Sequence, residues 1–268
     1  MKRGRSSSVR PLLLAGLVLA LVATNVYQAV GLLRFETWGG PRADAPAPAP
    51  PGGPRPDDAW VVERYHQIYY DRGIWNDNRW MGIRTMQNPN DVWITQEIIH
   101  DVKPDYIVEA GTAEGGSAAA WATFLAQVNP AGRVITIDIE DHAAEARKLP
   151  IWQERVEFLL GSSTAPDIVA EVVRRVKDKR VLVLLDSDHR RDHVLAELKA
   201  YAPLVGVGSY VIVQDTNVNG HPVLPSFGPG PMEAVTEFLA ADRRFEADRR
   251  RERMLFTMHP MGYLKRLR

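Results

Sequence analysis

The chain has 268 residues, enough for one domain of ordinary to large size with appendages. Its 33 basic residues balance its 33 acidic ones, so there is no bulk attraction to nucleic acid, and no nucleic-acid partner is expected. Cysteine is absent, which excludes a disulfide framework, a thiolate metal site and a cysteine nucleophile.

Residues 1–10 form a basic segment with Lys2, Arg3, Arg5 and Arg10, followed by an uncharged apolar run over 11–33. That run has about the ~20 residues a spanning helix needs and is read as a single transmembrane anchor. A cleaved signal peptide is the competing reading, for which Leu21-Val-Ala23 is a poor small-x-small site. Residues 34–57 are a Pro/Ala/Gly tether with no core-forming pattern, so the folded domain is expected over 58–268.

From 59 to 99 the chain is aromatic and helical in pieces, with Trp60, Tyr65, Tyr69 and Tyr70 at near-helical spacing. This segment is expected to form a helical layer packed on a sheet; the alternative reading is that 82–91 forms part of a substrate lid. Strand patterns then alternate with helix patterns. The strands fall at 106–109, 133–138, 156–160, 181–186 and 210–214, the helices at 117–128, 167–176, 193–201 and 232–241. Such alternation predicts a doubly wound, mostly parallel α/β sheet, and the wholly apolar Val181-Leu-Val-Leu-Leu185 predicts a strand covered on both faces. Two last runs, 253–258 and 263–267, flank His259-Pro-Met-Gly262 and are expected to close the seven-stranded sheet as an antiparallel hairpin.

The most informative stretch is Tyr106-Ile-Val-Glu-Ala-Gly-Thr-Ala-Glu-Gly-Gly-Ser117. A strand, a glycine turn and a helix N-terminus make a cradle for a nucleotide-like ligand, because backbone N–H groups point outward there. Glu109, Gly111, Thr112, Gly115, Gly116 and Ser117 are the candidate binding residues of the turn, whose spacing is not that of dinucleotide enzymes. Asp138 ends the next strand, where a carboxylate accepts both hydroxyls of a ribose; a helix cap is the plainer reading. Ser162 and Ser163 follow the third strand and either border a base or form a simple turn.

The fourth strand ends in Asp186-Ser-Asp-His-Arg-Arg-Asp192 and the fifth in Gln214-Asp-Thr-Asn217. Strand ends of an open parallel sheet converge on one crevice, so Asp186, Asp188 and Asp215 should approach one another. Clustered carboxylates repel unless compensated, and a hard, oxygen-liganded ion such as Mg²⁺ is the natural occupant. Helix capping by Ser187 or Asp188, and an Asx turn at Asp215, are the alternatives. His189 is the candidate general base, an imidazole with an ordinary pKa of about 6.5. The Pro/Gly-rich stretch 221–231 is read as a loop shaping access to the crevice.

The glycine turn with Glu109 resembles the first motif of S-adenosylmethionine-dependent methyltransferases. From about Trp80 onward the chain resembles the cephalosporin hydroxylase family, which includes the 7-alpha-cephem methoxylase component and rhamnosyl O-methyltransferases. The stretches that carry this are Val108-Glu-Ala-Gly-Thr112, Asp186-Ser-Asp-His189, Gln214-Asp-Thr-Asn217, Gly220-His-Pro-Val223 and Gly228-Pro-Gly-Pro-Met232. The resemblance implies a class I, Rossmann-like methyltransferase that binds S-adenosylmethionine and Mg²⁺ and methylates a hydroxyl of a sugar, glycolipid or related natural product. It implies metal ligands at Asp186, Gln214 and Asp215, with Asp188 compensating and His189 as the base. Gln214 departs from the carboxylate of related sugar enzymes, lowering the charge of the site. Hydroxylation or methoxylation, and a membrane-tethered binding protein without turnover, are the alternative functions. The methyl donor is cytoplasmic, so the expectation is a membrane-anchored protein with its domain on the cytoplasmic face, although four basic residues ahead of the run argue for the opposite orientation. The sequence leaves self-association open.

Overall fold

A computed structural model describes residues 56–268 of the chain. Helix α1 (Pro56–Asp71) precedes two short antiparallel strands, β1 (Arg79–Trp80) and β2 (Ile83–Arg84). Helix α2 (Pro89–Val102) starts as Asn88-Pro89 dictates: the Asn88 side chain accepts the Asn90 N–H, and the proline needs no donor in the first turn. Then come β3 (Tyr106–Ala110), α3 (Gly116–Val128), β4 (Arg133–Asp138), α4 (Pro150–Arg155), β5 (Val156–Leu160) and α5 (Pro166–Val176). The chain continues with β6 (Val181–Leu185), α6 (Arg191–Tyr201), β7 (Tyr210–Val213), α7 (Pro231–Ala241), β8 (Phe245–Ala247) and β9 (Tyr263–Arg266).

The sheet runs β5-β4-β3-β6-β7-β9-β8, with five parallel strands and an antiparallel end. Every residue of β6 is buried, and the pleat divides them. Val181, Val183 and Leu185 pack with Val176, Leu198 and Val235, whereas Leu182 and Leu184 pack with Ile98 and Trp121. The apolar run is therefore a strand with a helical layer on each side.

Strand order reverses between β3 and β6, which fixes where a crevice opens. The two strand ends touch there. Asp186 N–H donates to the Ala110 carbonyl at 2.8 Å, and a Cβ on Gly111 would stand 1.9 Å from the Asp186 carbonyl oxygen. Gly111, at φ 94°, is the residue that lets β3 turn away beneath β6.

Two expectations are corrected. The run 253–258 does not pair with 263–267; β9 lies between β7 and β8 instead. Residues 256–258 are drawn to the helical layer: Thr257 Oγ1 and the Met258 N–H (2.9 Å) donate to the Asp91 carboxylate, and the Phe256 ring meets those of Tyr65 and Tyr69, each at 5.4 Å. The second correction concerns the membrane. The described helices are at most 16 residues long, against the ~20 a span needs, and among the described residues no helix is long and apolar enough to cross a membrane. The expected single-pass membrane localisation is accordingly withdrawn, and with it the cytoplasmic-face orientation; the runs 1–10, 11–33 and 34–55 on which it was based lie outside the described residues.

Candidate active site

A cavity of about 640 Å³ opens over the carboxyl ends of the parallel strands. Of the expected turn residues, Gly111, Thr112 and Ser117 line it. Glu109, Gly115 and Gly116 do not, and each has a packing reason. Glu109 is buried beneath the turn, where it accepts Trp121 Nε1–H at 2.8 Å and the Thr136 hydroxyl at 2.6 Å. Burial pushes its carboxyl up to about 7 despite those bonds, so it ties α3 to β3 and β4 rather than facing a ligand. A Cβ on Gly115 would lie 2.6 Å from the Trp152 ring, and one on Gly116 would lie 2.4 Å from the Arg84 carbonyl oxygen. The missing Cβ of each makes room for these protein neighbours.

Asp138, Ser162 and Ser163 line the next part of the cavity, with Ile137, Ile139 and Gly161. Asp138 has a second duty: its Oδ2 accepts the N–H groups of Thr112 and Ala113, both at 2.9 Å, which holds the glycine turn in shape. Ser163 donates to the fully buried Glu197 at 2.5 Å, and Ser187 does the same at 2.6 Å. Glu197 thereby joins the loops after β5 and β6, and it also holds His193 (3.3 Å), a cavity-lining residue that the sequence reading passed over.

Asp186, His189 and Asp215 are brought together. One donor atom from each lies within 4.8 Å of the others; the two carboxylates suit a hard divalent cation, with the imidazole beside them. His189 Nε2 is 3.0 Å from Asp215 Oδ2 and 4.0 Å from Asp186 Oδ1. Burial, and then the charge of Asp215, raise the Asp186 carboxyl well above the usual range. Burial also pushes Asp215 up, but the His189 imidazole beside it prevails and leaves its carboxyl low.

Asp188 does not join this group. It lines the cavity, but its carboxylate is taken by the Arg190 backbone N–H (3.0 Å) and guanidinium (2.9 Å), an Asx turn and not the helix cap weighed for it, since the helix is capped at Arg190 without a side-chain bond. Gln214 is buried at the end of β7 and does not line the cavity. Its neutral amide therefore leaves the charge of the exposed donor set unchanged. The residue that does touch the cluster is Gln87, whose Nε2 donates to Asp186 Oδ2 at 2.9 Å. Arg84, Thr85 and Met86 also form cavity wall, in line with a covering role for 82–91.

The stiff loop after β7 is tied to α7 by Glu233, which accepts from Asn219, His221 and the Gly230 N–H at 3.0, 3.0 and 2.6 Å. Phe227, Gly228 and Pro229 from this loop line a second cavity of about 760 Å³ that shares Asp188 and His193 with the first.

The model of the rhamnosyl O-methyltransferase/CmcI family matches residues 72–267. Rhamnosyl O-methyltransferase of Mycobacterium tuberculosis is 40% identical over 220 residues, covering 79% of this chain and 87% of that protein. Rhamnosyl O-methyltransferase of Mycobacterium leprae is 38% identical over 222 residues, covering 79% and 93%. Among solved structures, CmcI with Mg and SAM aligns with a TM-score of 0.56 at 18% identity, covering 84% of this chain and 88% of that one. Apo CmcI aligns with a TM-score of 0.55 at 19% identity, covering 88% and 95%. At such identities the structural likeness speaks for the fold alone.

Proposed function

The chain belongs to the rhamnosyl O-methyltransferase/CmcI family, and from that premise we propose that it moves a methyl group from S-adenosylmethionine to a hydroxyl of a sugar or glycolipid, assisted by Mg²⁺. A rhamnose-type sugar is the first candidate acceptor, from the relatives' names. The observation that carries the reading is the meeting of Asp186, His189 and Asp215 in the same cavity as Asp138 and Ser163.

The donor supplies a sulfonium-bound methyl carbon open to attack by oxygen, and Mg²⁺ supplies Lewis-acid lowering of a hydroxyl pKa. Asp186 and Asp215 would hold the ion, and His189 Nε2 would take the hydroxyl proton as the methyl group leaves the sulfur, with S-adenosylhomocysteine as the leaving group. Asp138, Ser162 and Ser163 face the nucleoside; Thr112 and Ser117, at the glycine turn, face the amino-acid end. Burial alone would lower the pKa of His189, but the charge and hydrogen bond of Asp215, with Asp186 behind it, raise it to about 9. With Mg²⁺ held by those two carboxylates, the charges that raise His189 would be offset, and its Nε2 would then be available as a base. Asp188 and Gln214 are given no ligand role here. Two carboxylates and one histidine are not the two-histidine, one-carboxylate set of non-haem iron oxygenases, so hydroxylation is not the reading this site favours.

Incubating the full chain with labelled S-adenosylmethionine, Mg²⁺ and either rhamnosides or a cephem tests the assignment. Label on the rhamnoside is expected; label on the cephem alone would reject the sugar acceptor. Asp138→Ala is expected to weaken donor binding about ten- to hundredfold, on the order of 1–3 kcal/mol, and to lower the melting temperature as the turn loses its acceptor. Calorimetry with S-adenosylhomocysteine separates the two effects. A lower melting temperature with unchanged affinity would restrict Asp138 to the turn.

A further inference from the structure

Asp215 carries the carboxylate that faces His189, and its backbone is unusual. The ladder of β7 ends at Val213, and Gln214 N–H makes one more bond to the Leu185 carbonyl at 2.9 Å. At Asp215 the chain turns into the left-handed region, φ 52°, and its N–H leaves the sheet. An amide turned inward at this point needs an acceptor. His259 provides it: the Asp215 N–H donates to His259 Nδ1 at 3.2 Å.

His259 is 3% exposed and comes from the turn before β9. An imidazole that accepts on Nδ1 carries its proton on Nε2. That nitrogen makes no hydrogen bond and points toward Asp91 Oδ2, 3.8 Å away. Asp91, 1% exposed in the first turn of α2, also fixes the loop that bears the ring. Its carboxylate accepts Asn88 Nδ2 (2.8 Å), the Met258 N–H (2.9 Å), the Tyr263 hydroxyl (2.9 Å) and the Thr257 hydroxyl. The turn is seated tightly on β7, since a Cβ at Gly262 would lie 2.2 Å from the Val213 carbonyl oxygen.

We propose that His259, oriented by Asp91, is a positioning residue for Asp215: it holds the Asp215 N–H and so keeps the carboxylate turned toward His189 and Asp186. The consequence for metal binding rests on the function proposed above; the geometry of the Asp215–His189 pair does not.

His259→Phe keeps a ring beside Tyr263, 5.9 Å between centroids, but removes the acceptor. His259→Asn places an amide oxygen where Nδ1 lies. His259→Leu repeats the loss with a smaller side chain should Phe overfill the site. In metal-free, full-length protein with ¹⁵N-labelled histidine, the ring N–H of His189, assigned by its loss in His189→Ala, should be hydrogen-bonded in the wild type and His259→Asn and lost in His259→Phe or His259→Leu. Mn²⁺ titration should show binding about 10–100-fold weaker in the variants lacking the acceptor and near wild type in His259→Asn. S-adenosylhomocysteine affinity should not change in any of them. Wild-type Mn²⁺ affinity and an unchanged ring N–H in His259→Phe and His259→Leu, or a His259→Asn as defective as they are, would overturn the proposal. A wild type that binds no Mn²⁺ would instead count against the metal reading of the site, with the ring N–H still deciding the role of His259.

Discussion

Asp186→Ala is expected to abolish methyl transfer while leaving donor affinity largely intact. Asp186 sits at the strand-order reversal, where it offers one of the three donor atoms that lie within 4.8 Å of one another. Removing it takes away a ligand, unsettles Gln87, which donates to it, and leaves His189 with Asp215 alone. The acceptor hydroxyl then loses both its place and its lowered pKa, two effects that together reach several orders of magnitude. The donor contacts proposed for Thr112, Asp138 and Ser163 lie past other strand ends and should remain. Excess chelator applied to the wild type should reproduce the loss. The carboxyl of Asp186 is raised by burial and by Asp215, so its proton must leave before it can coordinate. Mg²⁺ affinity should therefore strengthen as pH rises and that proton is lost. Transfer rate against Mg²⁺ concentration at several pH values, for wild type and Asp186→Ala, checks all of this. A wild type equally active in chelator, with an unimpaired Asp186→Ala, would leave these acids as turn and cap residues.

The parts of this arrangement that could be read from the sequence are those fixed by local pattern. An all-apolar Val181–Leu185 reads as a doubly covered strand because no residue in it needs water. The convergence of Asp186 and Asp215 follows from one topological rule about strand ends. Gln87 and His259 carry no such signal, because their partners Asp186 and Asp215 lie 99 and 44 residues away. The misplaced hairpin has a related cause. The 253–258 run is apolar like a strand, but its bonds go to Asp91, 166 residues distant from Thr257, while β9 pairs with β7 and with β8, a three-residue strand too short to show alternation. The glycine turn was recognised for its cradle, yet Gly115 and Gly116 answer to Trp152 and Arg84, which a sequence motif does not contain. The Asp188 reading failed on a neighbour only two residues on, since Arg190 forms an Asx turn with it as readily as a metal would take it.

His189→Ala is expected to cut turnover by roughly 10²–10⁴ while preserving ion and donor binding. Its Nε2 faces Asp215 at 3.0 Å and Asp186 at 4.0 Å, so it stands beside the two carboxylates proposed to hold the ion and within reach of a hydroxyl placed there. In the ion-free protein His189 holds its proton up to about pH 9, because Asp215 and Asp186 outweigh the effect of burial. It accepts a proton only once that one has gone, so the wild-type rate should rise with pH and then level off. The level should be reached below pH 9 in saturating Mg²⁺, where coordination has neutralised the supporting charges, and at higher pH when Mg²⁺ is scarce. Without the imidazole, the hydroxyl must lose its proton to water or hydroxide, so the residual rate of His189→Ala should keep rising with pH and show no plateau in that range. The folded state also loses an ion pair: His189 binds its proton more tightly than an unfolded histidine, so its contribution to stability is complete below about pH 6.5 and disappears as pH rises through about 9. In the absence of metal, His189→Ala should therefore be less stable than wild type at pH 6 and close to it at alkaline pH. Parallel pH profiles of transfer rate and of melting temperature separate the two roles. A variant with the wild-type plateau in rate would show that another group takes the proton.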